Sequence, residues 1–344
     1  MTLLNFFLST LLGSLFLYLF MKMDTPRLRD VPNHRSMHDK PTKKSGGFFF
    51  FAAFWILFPA LYLQKGIDGY TFLFFLLGSL FFAILGFLDD LYNLSSVLKL
   101  ILELLFLFPV LYFFHPEAYF LGIHLSTGHF FTLLFLSLIL HFTINLANFM
   151  DGLDFYLSGS FFIFFINLFF LTDSLHSGFG LTFLLLLFSM LPFLFYNYPN
   201  ASLFLGDSGS LGLGFFIATS LFFSKIDGLT GDLFYLPLLL PAFWIDGLFT
   251  LLRRTLARKN ILSAHREHLY QRIQQSGYFS KKQALFHFSL INLLPSPLFF
   301  LLSLFFENLP YLVRACLTGL PPIVYYLILH HKNKKSIHLK DSSG

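Results

Sequence analysis

Residues 70–93 read YTFLFFLLGSLFFAILGFLDDLYN. From Tyr70 to Leu88 no side chain is charged, and the carboxylates of Asp89 and Asp90 follow at once. At 1.5 Å per residue, such a run as a helix comes close to the ~30 Å of a bilayer's hydrocarbon core. A helix suits that solvent because it satisfies its own backbone hydrogen bonds. The acidic pair then marks where the helix meets water.

Similar apolar runs recur on both sides of this one. The chain has 344 residues, of which 56% are hydrophobic and 12% charged, and 53 are Phe. Mean hydropathy is +0.70. A soluble domain carries about 25% charged residues. The pattern predicts an all-α fold, a polytopic transmembrane bundle of roughly eleven helices. Two of the runs, 159–171 and 211–223, are short for a span. The first run, 3–20, follows no positive segment and carries no small-residue cleavage site, so it reads as a retained helix. A single cysteine, Cys316, excludes an internal disulfide and a Cys-based metal site. The net charge of +5 is too small to indicate a nucleic-acid partner.

Charge placement carries more than the sum. Nineteen of the 23 Lys and Arg fall in three segments: the loop 22–44, the loop 253–282 and the tail 332–340. With eleven spans these lie on one side, which the positive-inside rule makes cytoplasmic. The N-terminus is then periplasmic and the C-terminus cytoplasmic, as for a multi-pass protein of the bacterial inner membrane. Residues 1–331 read as one integral membrane domain, and 332–344 as a basic tail without structure. No motif enters this assignment, yet 89–96, 145–158 and 197–210 also fall on the cytoplasmic face.

Those segments hold the polar motifs. Asp89-Asp90-Leu-Tyr-Asn93 sets two carboxylates side by side, an arrangement that calls for a cation or is merely a solvated helix end. Asn145, Asn148 and Asp151, spaced by three and followed by Asp154, share a face as a helix ends. Asn197 precedes Phe204-Leu-Gly206-Asp207-Ser208-Gly209-Ser210, a turn opening an apolar helix. Free N–H groups there favour phosphate oxygens, with Asp207 placed to hold the accompanying metal; a plain N-cap is the alternative. His265-Arg266-Glu267-His268-Leu-Tyr270-Gln-Arg272 gives two polar stripes on a helix, suited to a diphosphate or to anionic lipid. The cationic loop from His34 to Gly47 serves either phosphate binding or topology alone. Within the spans, Lys99 and Glu103 read as a self-neutralising i,i+4 pair, His141 as an extension of the Asn145 face, and Asp246 as structural support.

The ordered set DD-x-x-N, N-x-x-N-x-x-DG-x-D, GDSGS-x-x-LG and H-x-x-H-x-Y-Q-R resembles the polyprenyl-phosphate sugar-1-phosphate transferases of glycosyltransferase family 4. The likeness runs from Val31 to Gln275, and the form of the His motif looks like the O-antigen-initiating branch. The resemblance implies transfer of an amino-sugar 1-phosphate from a UDP-N-acetylhexosamine to undecaprenyl phosphate, releasing UMP. It implies Mg²⁺, with Mn²⁺ as an alternative, on Asp207. By motif, Asp89 and Asp90 match the catalytic acidic pair, and Asn148, Asp151 and Asp154 match the nucleotide-side motif. Asn197 and Phe204 match positions facing uracil, and His265, Arg266 and His268 match the diphosphate loop. Phe155 departs from the pattern, standing where the family usually has Gly. The oligomeric state is open, a homodimer being one option. A prenyltransferase using a prenyl diphosphate fits the GDSGS turn poorly. A transporter calls for polar residues through the midplane, not clustered at one interface.

Overall fold

The computed structural model describes all residues except 1, 33–39, 65, 173–177, 227–228, 261–265, 307 and 344; the side chains of 226, 229 and 335–343 are also undescribed. Fourteen α-helices follow one another among the described residues: α1 (Thr2–Lys22), α2 (Gly46–Leu63), α3 (Gly69–Tyr92), α4 (Ser96–Phe114), α5 (Phe130–Phe149), α6 (Tyr156–Leu171), α7 (Gly178–Asn197), α8 (Gly206–Thr219), α9 (Leu236–Leu239), α10 (Pro241–Leu256), α11 (Leu269–Gln275), α12 (Lys281–Leu293), α13 (Pro295–Phe305) and α14 (Tyr311–Ser343). Three two-residue antiparallel pairings are the only sheets among them. The all-α membrane fold expected from composition is what the chain forms.

Among the described residues eight helical stretches are long and apolar enough to cross a membrane, α12 and α13 together making one of them, and there is a ninth if the bent pair Leu233–Leu239 and Pro241–Leu256 counts as one. That is fewer than the eleven expected. The runs at 159–171 and 211–223 fall short because α6 has 16 residues and α8 has 14. The run at 233–252 breaks at Leu240–Pro241, since Pro has no N–H to continue a helix. Connectivity nevertheless carries α8 from one end of its bundle to the other. Its first turn meets the end of α3, while the chain beyond it brings Asp232 to the amides of Leu121 and Gly122, between α4 and α5. The basic tail also differs from its expectation, because the backbone of α14 continues as helix to Ser343.

The helices sort into two compact units, where composition had suggested one domain. The first is Met1–Ser158 with Thr172–Phe234; the second is Gly159–Leu171 with Tyr235–Gly344. In the first unit α8 is almost wholly buried, enclosed by α2, α3 and α5. Phenylalanines fill the space: Phe75 stacks on Phe216 at 5.0 Å and Phe82 on Phe215 at 5.4 Å. Each such pair contributes ~0.5–1.5 kcal/mol beyond burial. Lipid is as apolar as the helices, so close packing and not hydrophobicity holds this unit together. Two glycine contacts show how close. A Cβ on Gly47 would lie 2.1 Å from the Cα of Gly209, and one on Gly86 2.1 Å from the carbonyl oxygen of Asp207. In the second unit, Asn167 donates to the carbonyls of Leu239 and Asn292, and Asn292 accepts from the Ala242 amide, satisfying the broken helix between α9 and α10.

Candidate active site

The site grows from the C-terminal end of α3. Asn93 closes that helix in the left-handed region at φ 52°, and the turn brings the Leu94 amide to Asp89 Oδ1 at 2.6 Å. Asp89 Oδ2 accepts from Lys99 Nζ at 2.5 Å. The same ammonium lies 3.3 Å from Asp207 Oδ2, across from α4 to the first turn of α8. Two motifs 118 residues apart thus meet on one lysine. The i,i+4 spacing predicts Lys99 as the partner of Glu103, and the structure overturns that. A helical i,i+4 spacing permits such a pair, but tertiary packing gives the lysine two carboxylates instead. A cation in the first turn of the next helix, ten residues after Asp89, is the signal that could have found it.

Asp90 points elsewhere. It is 4% exposed and accepts from Ser45 Oγ at 2.6 Å, from the Asp207 amide at 3.2 Å and from the Ser208 amide at 3.4 Å. Lys44 Nζ lies 3.7 Å away. The N–H groups that opened α8 to phosphate in the sequence reading are therefore already engaged by a carboxylate. Gly206, at φ 74°, makes the turn, and a Cβ there would strike Asp90 and Ser45. Of the other basic residues in this loop, Lys43 is spent on the carbonyls of Phe20, Met21 and Met23 at the end of α1. His34, Arg35, Ser36, Met37, His38 and Asp39 lie outside the described residues.

The Asn145–Asp151 row does not face one way. Asn148 Oδ1 accepts from Ser210 Oγ at 3.0 Å, toward α8. Asn145 turns to α4 and donates to Glu103 Oε2 at 2.7 Å. Asp151 lies just beyond α5, half-buried. Burial, with Asp207, Asp90 and Asp154 nearby, raises its carboxyl well above the usual range. Asp154 accepts from the Ala201 amide at 3.0 Å. Asn197 is buried: its oxygen takes the Phe155 amide and the Ser158 hydroxyl, and its nitrogen donates to the Leu203 carbonyl. The backbone of Phe204 joins the loop before α2, accepting from Gly46 and donating to the Lys43 carbonyl.

The remaining predicted residues belong to the second unit. His265 lies outside the described residues. Arg266 and Glu267 precede α11 and His268 is its N-cap, so the two stripes expected on a helix do not form. Glu267 gathers Arg253, Arg254 and Lys259 at 3.0, 2.5 and 3.1 Å. Burial opposes its ionisation, but these three cations outweigh that and hold its carboxyl below the usual range. Asp246, fully buried, accepts from the Leu269 and Tyr270 amides and from Tyr326 Oη, fixing the start of α11 beside His268.

In the first unit the arrangement is a cluster of carboxylates at the meeting of α3 and α8, with Lys99 between Asp89 and Asp207. Among the described residues no three His, Cys, Asp or Glu side chains form a group that could hold a metal. Mg²⁺ does not need one, since it takes one or two carboxylates and fills the rest with phosphate oxygens and water. The Asp207 side chain, 31% exposed, meets that demand beside Asp89. A model of glycosyl transferase family 4 matches residues 72–225, which contain all of these carboxylates. Over 292 residues the chain is 30% identical to the undecaprenyl-phosphate alpha-N-acetylglucosaminyl 1-phosphate transferase of Thermotoga maritima, covering 83% of this chain and 86% of that one. The chain belongs to glycosyl transferase family 4. Other relatives of this family are a Bacillus subtilis protein named "Probable undecaprenyl-phosphate N-acetylglucosaminyl 1-phosphate transferase" (28% over 264 residues, 72% of this chain and 70% of that one) and a phospho-N-acetylmuramoyl-pentapeptide-transferase of Dictyoglomus thermophilum (31% over 197 residues, 54% and 60%). The departure at Phe155 now has a structural meaning. The residue sits at φ 66°, a conformation that suits Gly, and its ring packs against Tyr198 at 4.9 Å.

Proposed function

We propose that this family 4 transferase moves an N-acetylhexosamine 1-phosphate from a UDP-sugar to undecaprenyl phosphate and releases UMP, opening assembly of a cell-envelope polysaccharide. The names of its relatives support the lipid and favour N-acetylglucosamine as the sugar. The observation that carries the reading is Lys99 bridging Asp89 and Asp207. It joins two motifs at one helix end and concentrates charge where a diphosphate would react.

An oxygen of the lipid phosphate attacks the β-phosphorus of the donor. The new P–O bond forms as the bond to the bridging oxygen breaks, and UMP carries that oxygen away. A phosphate monoester loses its second proton near pH ~6, so the nucleophile needs no strong base. Asp89 orients it, and Lys99 places positive charge beside the transferring group. Asp90 acts at one remove, holding Asp207 through the first turn of α8. Mg²⁺ bound at Asp207, when present, would neutralise diphosphate charge. Arg266 and His268 are assigned to the diphosphate by their motif alone. The concentration of Lys and Arg in two loops and the C-terminal segment supports a cytoplasmic active site in the bacterial inner membrane.

The test is UMP release by the purified protein with undecaprenyl phosphate and a panel of UDP-sugars. Asp89→Asn and Asp207→Asn should each abolish most turnover. Near-normal rates in both would sink the assignment.

A further inference from the structure

We propose that Glu103, His141 and Asn145 form a clamp that keeps Lys99 in the active site. The proposal rests on the transferase reading of that site. Lys99 and Glu103 stand one turn apart on α4, where opposite charges ordinarily pair. Here they do not. Lys99 reaches Asp89 and Asp207. Glu103 Oε2 is taken by His141 Nδ1 at 2.6 Å and by Asn145 Nδ2 at 2.7 Å, both from α5.

Glu103 is fully buried, and its other oxygen, Oε1, has no hydrogen-bond partner. A carboxylate in that position demands compensation. His141 and Asn145 supply it from the neighbouring helix. Asn145 also donates to the His141 carbonyl at 3.0 Å, which holds its amide in line. Remove His141, and the cation one turn away becomes the alternative partner for Glu103. Drawn down α4, Lys99 would leave Asp89 and Asp207 facing each other uncompensated. Glu103 and His141 are thus positioning residues, and Asn145 serves them and not the substrate.

The consequence is a rescue that loss of packing alone would not produce. His141→Ala should lower kcat about tenfold or more while KM for the UDP-sugar changes less than about threefold. Removing the competing charge as well, in Glu103→Gln/His141→Ala, should return kcat to within about threefold of Glu103→Gln alone. Full-length protein in detergent with undecaprenyl phosphate is assayed for UMP release. The same four proteins are melted, a readout independent of turnover: His141→Ala should melt lower than wild type, and the double variant should recover. Wild-type kcat in His141→Ala, or a loss that Glu103→Gln does not reverse, overturns the clamp. Should the wild type release no UMP with any UDP-sugar, the transferase reading fails instead. The melting temperatures then decide the clamp, and absence of recovery in the double variant overturns it.

Discussion

Gly86→Ala gives a sharp test of how the fold places Asp207. A Cβ at residue 86 would lie 2.1 Å from the Asp207 carbonyl oxygen, 2.3 Å from its carbon and 2.5 Å from the Ser208 nitrogen. Carbon atoms rest at ~3.5–4.0 Å, so α3 and α8 must part by more than about 1 Å. Backbone stands on both sides of the clash, and no rotamer change relieves it. The Asp90 bonds to the Asp207 and Ser208 amides, already 3.2 and 3.4 Å, would lengthen beyond use. Overpacking of this kind costs ~1–3 kcal/mol, and the loss of bonds to a charged group adds ~1.5–3 kcal/mol. A displacement of ~1 Å at a reacting group costs about 100-fold in rate. The assay is kcat for UMP release alongside a melting curve. Gly78→Ala is the control, because its Cβ would strike the Phe215 ring at 2.0 Å, on the same helix but about three turns away from Asp89 and Asp90. That variant should melt lower and keep its kcat. Gly86→Ala with kcat within threefold of wild type, or Gly78→Ala losing as much rate as Gly86→Ala, would refute the reasoning.

Lys99→Met should lower kcat by about 100-fold or more, since it removes the positive charge that Asp89 and Asp207 share; steady-state UMP release at saturating substrate measures it. At position 155 the usual order of small residues should invert. Gly fits φ 66° and Ala does not, so Phe155→Gly should be more stable than Phe155→Ala by ~1 kcal/mol in paired melting curves. Asp246→Ala strips the acceptor from the Leu269 and Tyr270 amides and Tyr326 Oη, and should destabilise the protein by at least ~3 kcal/mol. Its first sign should be faster proteolysis of the chain preceding α11.

Much of this molecule is legible in one dimension. Composition and run length determine that lipid is the solvent, because no soluble core could take 53 phenylalanines beside so few charges. The order of the motifs determines the family, since Asp89-Asp90, Asp151, Asp154 and Asp207 recur with their neighbours in the expected sequence. The likeness to the family also flags Phe155, which stands where Gly is usual, and the backbone there is left-handed. Each of these signals is local or compositional, and survives without knowing what touches what.

Partnership is not local. A lysine with a glutamate four residues on looks self-satisfied, yet Lys99 serves Asp89 and Asp207 while Glu103 is held by His141 and Asn145. Two adjacent aspartates look alike, yet one faces Lys99 and the other caps α8. Asn145 and Asn148 share a spacing but turn to different helices. Helix periodicity fixes which side chains can meet along one helix. Which neighbour lies opposite is set by helix packing, through contacts as close as Gly86 on Asp207, and only the tertiary structure decides that.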